Sequence, residues 1–319
     1  MHLDTILLVG SGSMAFEYLK VLNAMNKKVI VVGRGDFNVN KLKSIYPQFE
    51  YHSGGIENYL KHNSLIPEVA INVVNVDILG DTTSLLINTG LKKILIEKPG
   101  DLTIEGLERI KSQSEAMNCK VVIGYNRRFY SSVIRLTQEV KKDGGIKSCH
   151  FEFTEWTHTF GLDTHSEAAL NRWILSNSSH VIDTAFYLIG KPEQLFPMVS
   201  GTNDIVWHPS GSTFVGSGIS INNVPFTYHA NWTGPGRWAV EVITSKRRFF
   251  LKPMEALFYQ SLGSVEINQL PIDDRYDIDF KPGLFRQVEN FLNNDFSLLQ
   301  PIGDQLEMMS YYESIAGYN

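Results

Sequence analysis

Cysteine is scarce in this chain. Cys119 and Cys149 are the only two in 319 residues. Both fall in strand-like segments and neither has the spacing of a metal ligand, so two reduced, mostly buried thiols are expected rather than a disulfide framework or a zinc site. No histidine pair has tight ligand spacing on a common face, so no metal is expected. No stretch approaches the ~20 apolar residues of a membrane span. No block of Lys or Arg stands out: Arg127-Arg128 and Arg247-Arg248 are only pairs, and a net charge of −5 argues against nucleic acid as a partner. The first residues lack a basic n-region, and the expectation is a cytoplasmic protein without a signal peptide. Repeats and low-complexity linkers are lacking too.

What is present is ordinary for a globular protein: 43% hydrophobic and 20% charged residues. The length suggests two domains. The most informative stretch comes first. Thr5 to Val9 is a short apolar run of the kind that forms a buried parallel strand. Gly10, Gly12 and Ala15 follow in the order G-x-G-x-x-A, and Phe16, Tyr18, Leu19 and Leu22 recur at helical spacing. Strand, glycine turn and helix are the context of a dinucleotide site. The first glycine permits the turn, the second lets the backbone approach a pyrophosphate, and the helix N-terminus offers unpaired N–H groups. Gly10, Ser11, Gly12, Ser13 and Met14 are therefore candidate cofactor contacts.

A second strand, Lys28 to Val32, ends at Gly33-Arg34-Gly35-Asp36, where such a unit meets the adenosine ribose. Arg34 suits a 2′-phosphate, which favours NADP over NAD. Asp36, which could reach the ribose hydroxyls, keeps NAD as the alternative. Further strands are expected at 49–51, 69–76, 93–97 and 120–124, alternating with helices near 41–46, 56–63, 82–89 and 104–117. This is the pattern of a doubly wound parallel sheet. Ligands sit outside the carboxyl ends of parallel strands, which adds Val74, Asn75, Glu97 and Lys98 to the cofactor candidates. Beyond residue 123 the pattern changes. A helix at 131–142 and a half-buried strand at 147–158 precede a helical stretch, 168–188, broken near Asn177-Ser178. Strands follow at 194–200, 211–221, 224–232, 238–244 and 247–251, then helices at 284–293 and 304–315. The expected division is a Rossmann domain, 1–123, and an α+β domain, 124–319, with a largely antiparallel open sheet.

Two groups of residues could carry chemistry. Glu97-Lys98-Pro99 closes a buried strand, where Lys98 could hydrogen-bond a substrate hydroxyl or could simply be a surface lysine before a proline. His180, in Ser178-Ser-His-Val-Ile-Asp183, opens an apolar helix. It could exchange a proton near neutral pH, with Asp183 on the same face to orient the imidazole or contact the substrate, or be a packed histidine beside a surface acid. Asn126 and Arg127 follow the last Rossmann strand, and a guanidinium there suits a carboxylate or phosphate. Trp173 and Arg237, near element ends, are candidate substrate contacts, since aromatic faces stack on sugar rings and guanidinium groups suit anionic ones. Each could equally be structural.

Taken together, G-x-G-x-x-A, Glu97-Lys98-Pro99, Tyr125-Asn-Arg-Arg-Phe129 and Ser179-His-Val-Ile-Asp183 resemble the glucose–fructose oxidoreductase / inositol dehydrogenase (Gfo/Idh/MocA) family, in order and across nearly the whole chain. The resemblance implies hydride transfer between NAD(P) and the hydroxyl- or carbonyl-bearing carbon of a sugar, cyclitol or nucleotide sugar. It also implies that Lys98 and His180 are the catalytic pair, and that a homodimer or homotetramer forms through the second sheet. One position departs from it: where many members carry an Asp four residues before the histidine, this chain has Ser176. That departure motivates the alternative, a dinucleotide-binding sensor or assembly protein of the same fold without catalysis.

Overall fold

The computed structural model describes residues 5–64, 66–159 and 165–318. The chain divides into two compact units. Unit 1 comprises residues 1–125 and 284–306; unit 2 comprises 126–283 and 307–319.

Unit 1 is built on parallel strands β1 (Thr5–Val9), β2 (Lys28–Val32), β3 (Glu50–His52), β4 (Val69–Asn72), β5 (Lys93–Ile96) and β6 (Lys120–Ile123). Helices α1 (Ser13–Ala24), α2 (Asp36–Ile45), α3 (Gly55–His62), α4 (Val76–Ile87) and α5 (Ile104–Ala116) connect them. The strands lie in the order β6-β5-β4-β1-β2-β3, so the direction of winding reverses between β1 and β4. All five residues of β1 are buried, which is why its sequence shows no polar alternation. Each large aliphatic side chain so buried contributes about 1.5–3 kcal/mol. Of the residues of α1 read at helical spacing, Tyr18, Leu19 and Leu22 are buried, with Ala15 and Val21, while Phe16 is half-buried.

The division differs from the one read in the sequence, which ended the first domain at 123 and assigned 124–319 to the second. A two-residue strand near the end of the chain is the reason. After helices α6 (Ser131–Lys142), α7 (Glu167–Asn171), α8 (Ser179–Ile189) and α9 (Arg275–Asp279), the chain returns through α10 (Leu284–Leu292). It then places Gln300 and Pro301 antiparallel beside β6, opposite Ile123 and Val122. Lys93 Nζ, in β5, donates to the carbonyls of Phe291 and Leu292 at the end of α10. The final helix, α11 (Ile302–Ala316), is divided between the two units.

Unit 2 contains an eight-stranded sheet: β7 (Ser148–Glu152), β8 (Pro192–Ser200), β9 (Thr213–Ser220), β10 (Pro225–Asn231), β11 (Ala239–Ile243), β12 (Arg247–Leu251), β13 (Phe258–Ser261) and β14 (Asn268–Gln269). Their order is β14-β13-β12-β11-β7-β10-β9-β8. The sheet is antiparallel except where β10 runs parallel to β7. Its strands alternate: in β10, Phe226, Tyr228 and Ala230 are buried while Pro225, Thr227 and His229 are exposed. The buried face packs on α8, with Phe186 meeting Phe151 and Phe226 at ring-centroid distances of 5.5 and 5.3 Å. The strand expected over 147–158 ends at Glu152, and a 3₁₀ turn occupies Thr157–Thr159. The helical break comes earlier than expected: α7 ends at Asn171, and a π-helical turn, Ile174–Ser178, leads into α8.

Among the described residues no helix is long and apolar enough to cross a membrane. Cys119 and Cys149 are free and buried, and burial pushes the Cys119 thiol up to about 11.

Gly10 fixes the join of β1 to α1. Its φ is +125°, and a Cβ there would lie 2.8 Å from both the carbonyl oxygen and a methyl of Val73, at the end of β4. Gly10→Ala is therefore expected to cost about 1–3 kcal/mol, read as a lower urea midpoint with an unchanged m-value.

Candidate active site

The turn after β1 leaves α1 without a side-chain cap. Its N-cap is Gly12, which makes no capping hydrogen bond, so the first N–H groups of α1 face outward with their positive partial charge. A Cβ on Gly12 would meet nothing within 4 Å, so open space lies in front of the helix end. A cavity of about 470 Å³ begins there, lined by Ser11, Gly12 and Ser13 and, from α2, by Asn38 and Lys41. A bare helix N-terminus beside open space is what a pyrophosphate requires. These residues fit a dinucleotide. Met14 follows within the first turn of α1. Arg34 is exposed after β2. Lys41, which the sequence reading did not single out, puts a cation beside the cavity. Val74 and Asn75 join β4 to α4, with Asn75 as an N-cap that forms no side-chain bond.

Glu97 follows β5 directly, on the same carboxyl edge of the sheet. Its Oε1 accepts a 2.8 Å hydrogen bond from the Tyr18 hydroxyl of α1. Burial and the Glu97 charge raise Tyr18 well above the usual phenol range, so it stays a donor. Gln287 of α10 donates to the same hydroxyl. The Lys98-Pro99 peptide is cis, and the Pro99 carbonyl accepts from Gln305 of α11, whose amide also reaches the Tyr125 hydroxyl. The turn bearing Lys98, itself half-buried, is thus held by α1, α10 and α11. Tyr18, Gln287 and Gln305 were not legible as site residues, because the helices that supply two of them lie almost 200 residues further along the chain.

In unit 2, His180 sits in the first turn of α8, buried, with its ring 6.2 Å from that of Trp238. Asp183, expected to meet substrate, is engaged elsewhere. Its two oxygens accept Arg128 Nε and Nη2 at 2.8 and 2.6 Å, and both residues are buried. Burial pushes the Asp183 carboxyl up, and the guanidinium opposes that shift. The pair fixes α8 to the 3₁₀ turn Asn126–Phe129. Two more expected substrate contacts are likewise engaged within the fold. Asn126 is buried and donates to the Pro282 carbonyl. Trp173 is a core indole packed edge-on against His165 and Trp207.

Arg127 and Arg237 do come together. Both guanidinium groups lie against the Trp238 ring, at 4.4 and 5.2 Å. Beside them is a residue the sequence reading missed, Glu155, just beyond β7. It is 1% exposed. Its Oε1 accepts from Ser178 Oγ at 2.6 Å, Asn177 Nδ2 at 3.0 Å and Trp238 Nε1 at 3.2 Å. Burial pushes its carboxyl up to about 7, against the donors and the Arg237 charge. Ser176, in the position where the resemblance leads one to expect an acid, hydrogen-bonds the Ala169 carbonyl.

No family model matches this chain, and no curated protein matches its sequence. Solved structures do. A candidate NADPH-dependent oxidoreductase from Desulfitobacterium hafniense matches with TM-score 0.78 and 15% identity, over 99% of this chain and 96% of its own. UDP-N-acetylglucosamine 3-dehydrogenase from Acidithiobacillus ferrooxidans gives 0.75 and 12%, over 99% and 97%. An inositol dehydrogenase homologue from Azotobacter vinelandii, in complex with NADH and myo-inositol, gives 0.76 and 12%, over 99% and 95%. The fold is the one these proteins share. At such identities the likeness is one of fold, and it agrees with the fold that the sequence resemblance implies.

The buried pair gives the second expected outcome. Asp183→Ala leaves Arg128 buried without its counter-charge and should cost about 3–5 kcal/mol, measured by urea unfolding. A loss under about 1 kcal/mol would show the pair to be dispensable for α8.

Proposed function

We propose that this chain is an NAD(P)-dependent oxidoreductase that transfers a hydride between the nicotinamide and a hydroxyl- or carbonyl-bearing carbon of a sugar, cyclitol or nucleotide sugar. One observation carries the proposal. On a single sheet edge of unit 1, the bare N-terminus of α1 and the lysine-bearing turn after β5 are tied together by the Tyr18–Glu97 hydrogen bond. The fold neighbours add support, since they include a nucleotide-sugar dehydrogenase and an inositol dehydrogenase homologue bound to NADH.

When bound, the nicotinamide supplies or accepts the hydride. Gly10, Ser11, Gly12, Ser13 and Met14 hold the pyrophosphate through backbone N–H groups, and Val74, Asn75 and Glu97 border the cofactor along the strand ends. Arg34 pairs with a 2′-phosphate, with Lys41 as a second cation, so NADP is favoured over NAD. Lys98 donates a hydrogen bond to the substrate oxygen and stabilises the negative charge that grows on it. His180 takes the hydroxyl proton in oxidation and returns it in reduction. Asp183 positions α8 through Arg128 rather than touching substrate.

Lys98→Ala should lower turnover of a responsive sugar by about 100-fold or more, while NADPH affinity, followed by its fluorescence, changes less than about threefold. Full turnover in the variant removes Lys98 from the mechanism. If the wild-type protein binds NADPH but no sugar, cyclitol or nucleotide sugar in a panel changes its redox state, the non-catalytic sensor is the better reading.

We also propose a homodimer or homotetramer assembled through the open face of the unit 2 sheet. That face exposes Phe196 and Met198, each 63% accessible, together with Ile219 and Ile243. An apolar patch of this kind is a common mark of association. Phe196→Glu should shift the mass seen by light scattering to that of one chain. A wild-type protein that is already monomeric at micromolar concentration would remove the assembly from consideration.

A further inference from the structure

Arg127 and Arg237 have no hydrogen-bonded counter-charge among the described residues. Arg127 lies against Trp238 and, at 5.8 Å, against Tyr130. It makes no side-chain hydrogen bond or ion pair to any described residue, so its five N–H donors go unanswered there. Burial lowers its affinity for its proton; Tyr130, Glu255 and Glu155 oppose that shift, and the charge of Arg237 adds a smaller contribution to it. Arg237 stacks on Trp156 at 4.6 Å as well as on Trp238, and its guanidinium remains half exposed. The acids nearby answer neither fully: Glu255 and Glu155 act on Arg127 through their charge alone, without a hydrogen bond or ion pair. Glu155 has its Oε1 taken by three neutral donors, and its buried Oε2 has no hydrogen bond. Arg237 Nη1 stands 3.8 Å from that oxygen, which is an ion pair without a hydrogen bond. Two guanidinium groups against one indole ring, one of them largely buried and the other half exposed, are arranged to receive an anion carried on an apolar or sugar-like body.

We propose that Arg127 and Arg237 form an anion-binding subsite in unit 2 that takes the carboxylate or phosphate of a sugar derivative. This rests on the sugar-type reading above and narrows it to anionic members of that class. Glu155 competes with the ligand for Arg237. Ionised, it draws the guanidinium toward Oε2; protonated, it releases that charge to the ligand. Anion affinity therefore falls as the pH rises through neutrality. Ser178 and Asn177 from the π-helical turn and Trp238, just before β11, face Glu155 as neutral donors, and the charged groups around it are Arg127 and Arg237, with Glu255 acting on Arg127. His180, which touches the same Trp238 ring, is the competing source of a pH effect.

The test is calorimetric binding of glucuronate, glucose 6-phosphate, inorganic phosphate and neutral glucose, at about pH 6 and about pH 8.5. At the lower pH, glucuronate or glucose 6-phosphate should bind at least about tenfold more tightly than glucose. Which of the two binds identifies the anion, and binding of inorganic phosphate alone excludes a sugar derivative and overturns the proposal. Arg127→Gln should weaken the anion about tenfold or more, and Arg127→Lys should recover part of that loss. Arg237→Gln carries the same test if the Arg127 variants fail to fold. Glu155→Gln should bind with an affinity that no longer changes with pH. Equal binding of glucose, wild-type affinity in Arg127→Gln, or no binding by any anionic probe overturns the subsite. A pH slope that persists in Glu155→Gln overturns the part given to Glu155. Because hydride transfer is not read, failure here is distinct from failure of the oxidoreductase reading, which cofactor titration and turnover decide.

Discussion

Between the ends of β1 and β4 there is no room for a side chain. That constraint organises unit 1. The chain must leave β1 through a residue that tolerates φ +125° and carries no Cβ, and Gly10 meets both conditions. It then enters α1 within three residues, and the N-cap position falls on Gly12, which has no side chain to cap the helix. The uncapped N–H groups are not a defect to be filled by the protein. They face open space at Gly12, at the place where the winding of the sheet reverses and where doubly wound folds bind their ligands. One turn further along α1, Tyr18 reaches Glu97, so the helix set by Gly10 also sets the turn that carries Lys98.

Unit 2 shows how two adjacent arginines can have opposite fates. Arg128 turns inward and gives two parallel hydrogen bonds to Asp183. A buried pair of this geometry offsets much of its own desolvation cost, and losing one partner is what makes it expensive. Arg127, the preceding residue of a 3₁₀ turn, points elsewhere and finds only aromatic rings. Burial and satisfaction together separate the roles: Arg128 is answered within the fold, whereas Arg127 is left for something outside it.

Much of this was legible in the sequence. Fully apolar runs bounded by glycine and polar residues marked the parallel strands, and alternation marked the half-buried ones. What was not legible depended on long-range contact. Helix α10 has an apolar face, but that face does not say which sheet it will cover. The pairing of Gln300 and Pro301 with β6 is too short to show a pattern. Asp183 looked available because Arg128, 55 residues away, was not known to reach it. Trp173 looked like a sugar platform because aromatic residues serve both as platforms and as core, and only packing against His165 and Trp207 distinguishes them here. Glu155 carried no signal at all: an acid at an alternating strand's end reads as solvent-facing until its partners, Asn177 and Ser178, are seen.

Those partners bear on the substitution at residue 176. A carboxylate one turn before His180 is what the sequence resemblance would supply, and Ser176 instead spends its hydroxyl on the Ala169 carbonyl. Yet the same π-helical turn is not without an acid. Its next two side chains, Asn177 and Ser178, both donate to Glu155, which arrives from the end of β7. The wider π turn directs consecutive side chains to one acceptor. The carboxyl group held there is buried and shifted to about 7, within the range where acids can exchange protons at neutral pH. Loss of an acid from the helix is therefore not loss of an acid from the neighbourhood of His180, and the serine on its own is a weak argument against catalysis.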